Sequence, residues 1–181
     1  PTARSFVREF HLHPEGRTLH CYAGLLTAWQ DNRFSELEDN GVRQQLQTWL
    51  HDALRYYYNQ RAGTLELVDF QSNPSTVKSA LESIRAFTHL AASTPCPSWL
   101  DGPPDAPHPR EIVACRSCLL HLPTMRRLPP TPRFFTTCSL DFDPDPDAAL
   151  PMAWYGFLHQ LFDGDIESLD LLQEWFGYCL T

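Results

Sequence analysis

Lysine is almost missing from this chain: Lys78 stands alone beside 13 arginines. Glycine is scarce as well, with 8 residues against 16 prolines, so the chain is stopped and bent often. No apolar run approaches the roughly 18–20 residues needed to cross a bilayer, which excludes a transmembrane helix, and no membrane partner is expected. The sequence contains no Gly-x-x-x-x-Gly-Lys-Ser/Thr loop, and its one lysine falls inside a helical pattern. ATP hydrolysis by a P-loop mechanism is therefore not expected of this segment. The first 30 residues lack a basic start, an apolar core and a small-residue cleavage site, so no secretion signal is read there. The chain starts at Pro1 and stops at Thr181 directly after an apolar run, which reads as a piece of a longer protein.

What is present fits a soluble globular class. The 181 residues are 43% hydrophobic and 20% charged, too apolar for disorder. At roughly 100–200 residues per domain this is one domain or two small ones, and a single domain over 1–181 is expected. The net charge of −8 is unevenly placed. Residues 141–181 hold nine acidic groups and no Lys or Arg, while residues 1–140 hold the other 13 acidic groups and all 14 basic ones. Acidic surface repels a phosphate backbone, so any nucleic-acid contact belongs to the first part. The arginine bias suits bidentate phosphate binding, and it is equally what a GC-rich genome produces. Six cysteines could form three disulfides, but without a secretion signal reduced thiols in the cytoplasm are expected.

The pattern along the chain points to an α+β fold, with helices packed on short antiparallel strands and hairpins and a two-helix segment at the end. Residues 1–92 read as a hairpin plus two helices. Phe6, Arg8 and Phe10 frame an alternating start, and Leu19, Cys21 and Ala23 repeat that period of two around a His13-Pro14-Glu15-Gly16 turn. Gln30-Asp31-Asn32 is a further polar turn, between Trp29 and Phe34. Val42, Leu46, Trp49, Leu50, Ala53, Leu54 and Tyr57 share one helical face, which predicts a helix over 41–59 capped by Asn40. Asn73-Pro74 opens a second helix over 74–90, with Val77, Ala80, Leu81, Ile84 and Phe87 buried. Residues 93–110 are a Pro-rich loop anchored by Trp99-Leu100. Residues 111–147 carry a strand pair over 111–122, a Pro-rich separator and a strand over 134–142. Residues 148–181 carry two helices broken at Asp163-Gly164-Asp165. The first shows Trp154, Phe157, Leu158 and Leu161 on one face; the second buries Ile166, Leu169, Leu172, Trp175 and Cys179.

Two constellations invite a chemical reading. Cys115-x-x-Cys118 has the spacing of half a zinc site, but the other candidate ligands are scattered. In an alternating strand the two positions would also point to opposite faces, which favours two packed thiols. Asp141-Phe142-Asp143, at an expected strand end, fits the Asp-x-Asp pattern that can hold two metal ions for nucleotidyl transfer. The Asp ladder from 141 to 147 could also bind calcium, but it lacks the central Gly, and position 152 is Met where a bidentate Glu is needed. The bland alternative is a Pro-stiffened linker whose acids favour the next helix N-terminus.

The last third carries a resemblance. Pro132-Arg133-Phe134-Phe135-Thr136-Thr137 is followed by Asp141-Phe142-Asp143-Pro144-Asp145, then by Trp154-x-x-Phe157-Leu158-x-x-Leu161-Phe162-x-x-Asp165. The closing stretch is Leu172-Gln173-Glu174-Trp175-Phe176-Gly177-Tyr178-Cys179-Leu180-Thr181. This series resembles the domain immediately before the ATPase core in phage- and plasmid-type DNA primase-helicases, related to the poxvirus primase-helicase. It departs from that family at Ser117-Cys118, where an Asn-Gly turn is usual.

The resemblance implies a superfamily 3 helicase ATPase downstream and a primase site upstream. It implies no catalytic residue and no cofactor in this segment, with ATP and Mg acting in the helicase domain. The expected role is a linker or collar that supports assembly, usually into a hexameric ring, and guides single-stranded or forked DNA in the cytoplasm of a bacterial host cell. Arg110, Arg126, Arg127 and Arg133, around the Pro-rich 123–134 segment, are the candidate DNA contacts. Two other classes stay open: metal-dependent primer synthesis through Asp141 and Asp143, and a protein-interaction module without DNA contact, anchored by aromatics.

Overall fold

The computed structural model describes residues 2–61, 63–102, 104–145 and 147–179. It is an α+β fold of small, mostly antiparallel sheets and five helices, closing with a helix pair as the sequence pattern predicts. Helix α1 (Thr2–Phe10) leads into the small hairpin β1 (Leu12–His13) and β2 (Gly16–Arg17). Strands β3 (Leu19–Tyr22), β4 (Leu25–Gln30) and β5 (Arg33–Glu36) form an antiparallel meander. Helix α2 (Asp39–His51), hairpin β6 (Leu54–Asn59) and β7 (Thr64–Asp69), and helix α3 (Pro74–Phe87) follow. Strand β8 (His89–Leu90) then pairs in parallel with β3, completing a sheet of order β5-β4-β3-β8.

The first core lies between this sheet and α1, α2 and α3. Phe6, Leu19, Leu26, Leu46, Leu50, Leu81 and Ile84 are all fully or nearly fully buried there. Each such side chain stabilises by roughly 1.5–3 kcal/mol relative to leaving it in water. Helix α3 begins as the sequence dictates. The Asn73 side chain accepts from Thr76 N at 2.9 Å, the Thr76 hydroxyl accepts from Asn73 N at 2.8 Å, and Pro74 fills the first turn.

Three expectations in this half are corrected. The start is a helix, not a strand: Ala3, Phe6 and Val7 are its buried residues, and their spacing of three and four outweighs the Phe6-Arg8-Phe10 alternation. The 41–59 helix stops at His51, and its first residue is Asp39, preceded by Glu38 rather than capped by Asn40. Beyond it, Leu54 to Asn59 form a strand paired with Thr64 to Asp69. Three consecutive tyrosines cannot share one helical face, whereas aromatic rings alternate comfortably along a strand.

The second half is built from short strands. Strand β9 (Ser98–Trp99) pairs with β13 (Phe134–Phe135), and β10 (Ile112–Ala114), β11 (Leu119–His121) and β12 (Arg126–Leu128) form a three-stranded meander. Strand β12 occupies the stretch read as Pro-rich separator, reached through Met125 at φ 53°. The expected strand over 134–142 is only the two residues of β13. Ile112, Ala114, Leu119 and Phe134 form one small core with Trp99 and Leu128 against it; Cys115, Cys118 and Leu120 form another. Gly102 sits so close to Trp99 that a Cβ there would meet the Trp99 Cβ at 2.7 Å.

Helices α4 (Met152–Leu161) and α5 (Ile166–Cys179) close the chain. Asp165 caps α5, accepting from Glu167 N at 3.1 Å and Ser168 N at 3.3 Å. The expected buried face of α5 is mostly in solvent: Leu169 is buried, but Ile166, Trp175 and Cys179 are exposed. On α4 likewise, Leu158 is buried while Trp154, Phe157 and Leu161 are exposed. The pair is stitched by Trp154 against Phe176, ring centroids 6.1 Å apart. Amphipathic spacing tells which residues share a face, not whether something covers it.

The two halves meet at the β4–β5 turn. Asp31 and Asn32 both adopt left-handed backbone, at φ 50° and 59°, as a two-residue type I′ hairpin requires. The buried Asn32 Nδ2 donates to Cys115 O at 3.0 Å and Cys118 O at 2.8 Å. Phe34 N donates to Thr136 O at 2.7 Å beside it, and the Phe34 and Phe135 rings pack 5.2 Å apart.

Asn32→Ala is expected to lower the unfolding free energy by about 2–4 kcal/mol in urea titrations, because the Asn32 donor to Cys115 O and Cys118 O is removed, leaving Cys118 O with Cys115 N, and the backbone is strained. Asn32→Gly, which tolerates the same φ, should lose about 1 kcal/mol less. Gly102→Ala should cost about 1–3 kcal/mol by overpacking against Trp99, read as a lowered Tm.

Candidate functional site

The four arginines singled out by the sequence lie in different neighbourhoods. Arg110 is exposed in a single 3-10 turn, Pro109–Glu111. Arg126 and Arg127 are exposed neighbours on β12, so their side chains leave opposite faces of the strand. Arg127 donates to Pro144 O, and its charge acts on both Asp143 and Cys115. Arg133 turns to the first half of the chain, its Nε donating to Glu15 O at 2.6 Å.

That last contact opens on a cleft of about 390 Å³ between the halves. Gly16 and Arg17 of β2, His20 of β3, His89 of β8, Asp101 after β9 and Arg133 before β13 line it, with Leu12, Leu90, Leu100 and Pro132 as its apolar wall. Strand pairing sets these positions: β8 runs beside β3 with His89 opposite Cys21, next to His20. Leu100 N donates to Arg133 O at 2.8 Å, holding the two far segments together. Arg17 is fixed by donation from Nη1 to Phe87 O at 3.1 Å and by its guanidinium lying 4.7 Å from the Phe87 ring centroid.

His20 is the buried member of this set, 8% exposed, with its Nδ1 lacking a hydrogen-bond partner. Burial, aided by the Arg17 charge, pulls its pKa down from 6.5 to about 4; the Thr88 and Arg17 carbonyls and the Asp101 carboxylate oppose this. At neutral pH the ring is uncharged, so two guanidiniums face one carboxylate across the cleft. The sequence pointed to Arg133 alone. Arg17, His20 and His89 gave no signal, because only the β3–β8 pairing brings positions 17–20 and 89 together.

The cysteine pair sits where β10 turns into β11. Cys115 N donates to Cys118 O at 2.8 Å across the turn, so the two residues face each other and the thiols interact. The expectation of opposite faces fails because positions 115 and 118 are not in one strand: they face each other across the turn that joins the paired strands β10 and β11. Burial and the Cys118 neighbour push the Cys115 thiol up to about 11, and burial with Asp143 raises Cys118 too. Both are packed thiols rather than thiolates. Among the described residues no group of three or more His, Cys, Asp or Glu is placed to hold a metal ion.

Asp143 closes the same turn. It accepts from Ser117 N at 2.8 Å and Ser117 Oγ at 2.6 Å. Neither Ser117 nor Cys118 adopts positive φ, and the turn is held by the Asp143 carboxylate. The Ser117 hydrogen bonds hold the Asp143 carboxyl below its ordinary 3.8. Asp141 is exposed and lies in irregular chain, well past the end of β13, so the strand end expected for the Asp-x-Asp pair is missing.

No protein-family model matches the chain, and no curated protein matches it.

Cys96, Cys138 and Cys179 are exposed while Cys21, Cys115 and Cys118 are buried. A disulfide reagent is therefore expected to titrate three thiols in the native protein and the other three only after unfolding. Because Asp143 has a depressed folded pKa, its contribution to stability is full above 3.8 and disappears as the pH falls through the lower folded value. Asp143→Asn should lower the urea midpoint at pH 7, and the gap from the unmodified chain should close on acidification.

Proposed function

We propose that the chain is a non-catalytic connecting module of a mobile-element DNA primase-helicase, supporting ring assembly and guiding DNA to the ATPase in the host cytoplasm. The observation that carries this reading is the outward apolar face of the closing helix pair. Leu171, Trp175 and Tyr178 follow one another at helical spacing on α5 and are exposed, and Phe157 and Leu161 of α4 are exposed as well. A row of exposed apolar side chains of this kind fits a protein partner. The resemblance supplies the partner's class: the helicase domain, with ATP and Mg, and further copies in its ring.

The same surface carries Glu167, Asp170 and Glu174 and no basic residue, which keeps DNA away from it. DNA contact is assigned instead to the exposed Arg110, Arg126, Arg127 and Arg133. Primer synthesis is the weaker reading, since Asp143 is already engaged by Ser117 and Asp141 has no acid beside it on a strand.

A protein-interaction role without DNA is favoured by one further observation. Leu54, Tyr56, Tyr58, Leu65 and Leu67 lie on a single face of the β6–β7 hairpin, all exposed.

Fluorescence anisotropy with single-stranded and forked DNA, titrated with salt, separates these readings. Binding at low salt should weaken steeply with added salt, and Arg126→Ala with Arg127→Ala should reduce the slope by about one unit per lost phosphate contact. No binding at low salt would remove the DNA role and leave the interaction module. Trp175→Asp should change the sedimentation of the chain with its helicase domain; an unchanged profile would remove the collar role.

A further inference from the structure

We propose that the cleft between β2–β3, β8 and the segment before β13 binds a phosphate monoester, with Arg17 and Arg133 as its anion donors and His20 as its floor. Three observations converge on it. Two guanidiniums, separated by 116 positions in the chain, are each anchored by one bond to a backbone carbonyl, Phe87 O and Glu15 O. Each keeps further N–H donors, and two such forks facing one cavity match the several oxygens of a phosphate.

Next to them stands a histidine more than nine-tenths buried whose Nδ1 has no partner. A buried polar atom left unpaired costs free energy, and a ligand oxygen or a hydroxyl of the ester would remove that cost. His89 lines the same cleft and is exposed, free to donate to the anion.

The size and the wall complete the argument. A cavity of about 390 Å³ falls in the range of small-molecule sites. Leu100 and Pro132 give it an apolar side suited to a sugar or base, and Gly16 adds no side chain at the mouth. Asp101 also lines the cleft and opposes an anion, but one carboxylate is outweighed by two guanidiniums, and a carboxylate accepts from hydroxyls such as those of a ribose. The shared chemistry is that of a nucleoside monophosphate or the 5′-phosphate end of a DNA strand. This site stands whether or not the chain serves in DNA replication, since a free mononucleotide suffices to fill it.

Histidine-ring NMR and calorimetry on the full chain test the proposal. Inorganic phosphate and adenosine monophosphate, at up to about 10 mM and low salt, should shift the His20 and His89 ring resonances, while adenosine should not. Arg133→Gln, at an exposed position, should weaken binding roughly tenfold with the remaining spectrum unchanged. Arg17→Lys, which keeps the charge and loses the fork, should weaken it as well. A tighter fit for a 5′-phosphorylated oligonucleotide than for its 5′-hydroxyl form supports the site with a strand end as its ligand. Phosphate and monophosphate binding without that difference supports it with a free nucleotide as its ligand. Unshifted histidines with every phosphate probe, or affinity unaltered by Arg133→Gln, would overturn the site.

Discussion

A buried carboxamide sits at the centre of the junction between the two halves of this protein. Asn32 stands at the tip of the β4–β5 hairpin and donates to both carbonyls that flank the Cys115–Cys118 turn. Cys118 O also accepts from Cys115 N across the turn, and the Phe34 N to Thr136 O bond with the Phe34–Phe135 packing lies beside it, so Asn32 is the buried side-chain link among several that join the first sheet to the second meander. The pairing works only because the hairpin turn is left-handed at Asn32, and asparagine adopts that conformation at little cost. Ser139 Oγ donating to Asp31 O at 3.1 Å fastens the other side of the same tip.

The cleft follows from that junction. Once the halves are docked, Phe34 and Phe135 pack together, β13 is fixed beside β9, and the residue just before β13 is Arg133. Its guanidinium is thereby carried to the β1–β2 hairpin, opposite Arg17. A basic site thus forms in a chain whose net charge is −8, because all 14 basic groups lie in residues 1–140, where they balance the 13 acids there. Formal net charge describes the long-range field; the local field depends on which side chains the fold gathers within a Debye length of about 8–10 Å.

How much was legible depends on how local the determinant was. The start of helix α3 and the cap of α5 are written in short stretches, Asn73-Pro74 and Asp165, and both form as expected, while α3 ends at Phe87, short of the expected 90, because His89–Leu90 pair with β3. The turns at 13–16 and 31–32 are equally local. Helix α1 and the β6–β7 hairpin were misread because short apolar runs satisfy periods of two and of 3.6 at once. Burial was the least legible property. The residues of the α5 face share one side of the helix as expected, but only Leu169 among them is buried, and Ile166, Trp175 and Cys179 stand in solvent. Of the candidate site, Arg133 was visible as one of a group of arginines; its partners at 17, 20 and 89 were not.

The sequence by itself determined the α+β class, the segregation of charge, the scarcity of lysine and the absence of a long apolar helix, because each depends on composition or on residues a few positions apart. Tertiary structure decided that Cys115 and Cys118 are facing packed thiols, that Asp143 closes their turn, and that Arg17, His20, His89 and Arg133 share one cleft. Those outcomes rest on strand pairing and on Asn32 reaching across 83 and 86 positions to two carbonyls. Contacts of that separation leave no periodicity in the chain; they exist only after the loop between them has been closed by the cores on either side.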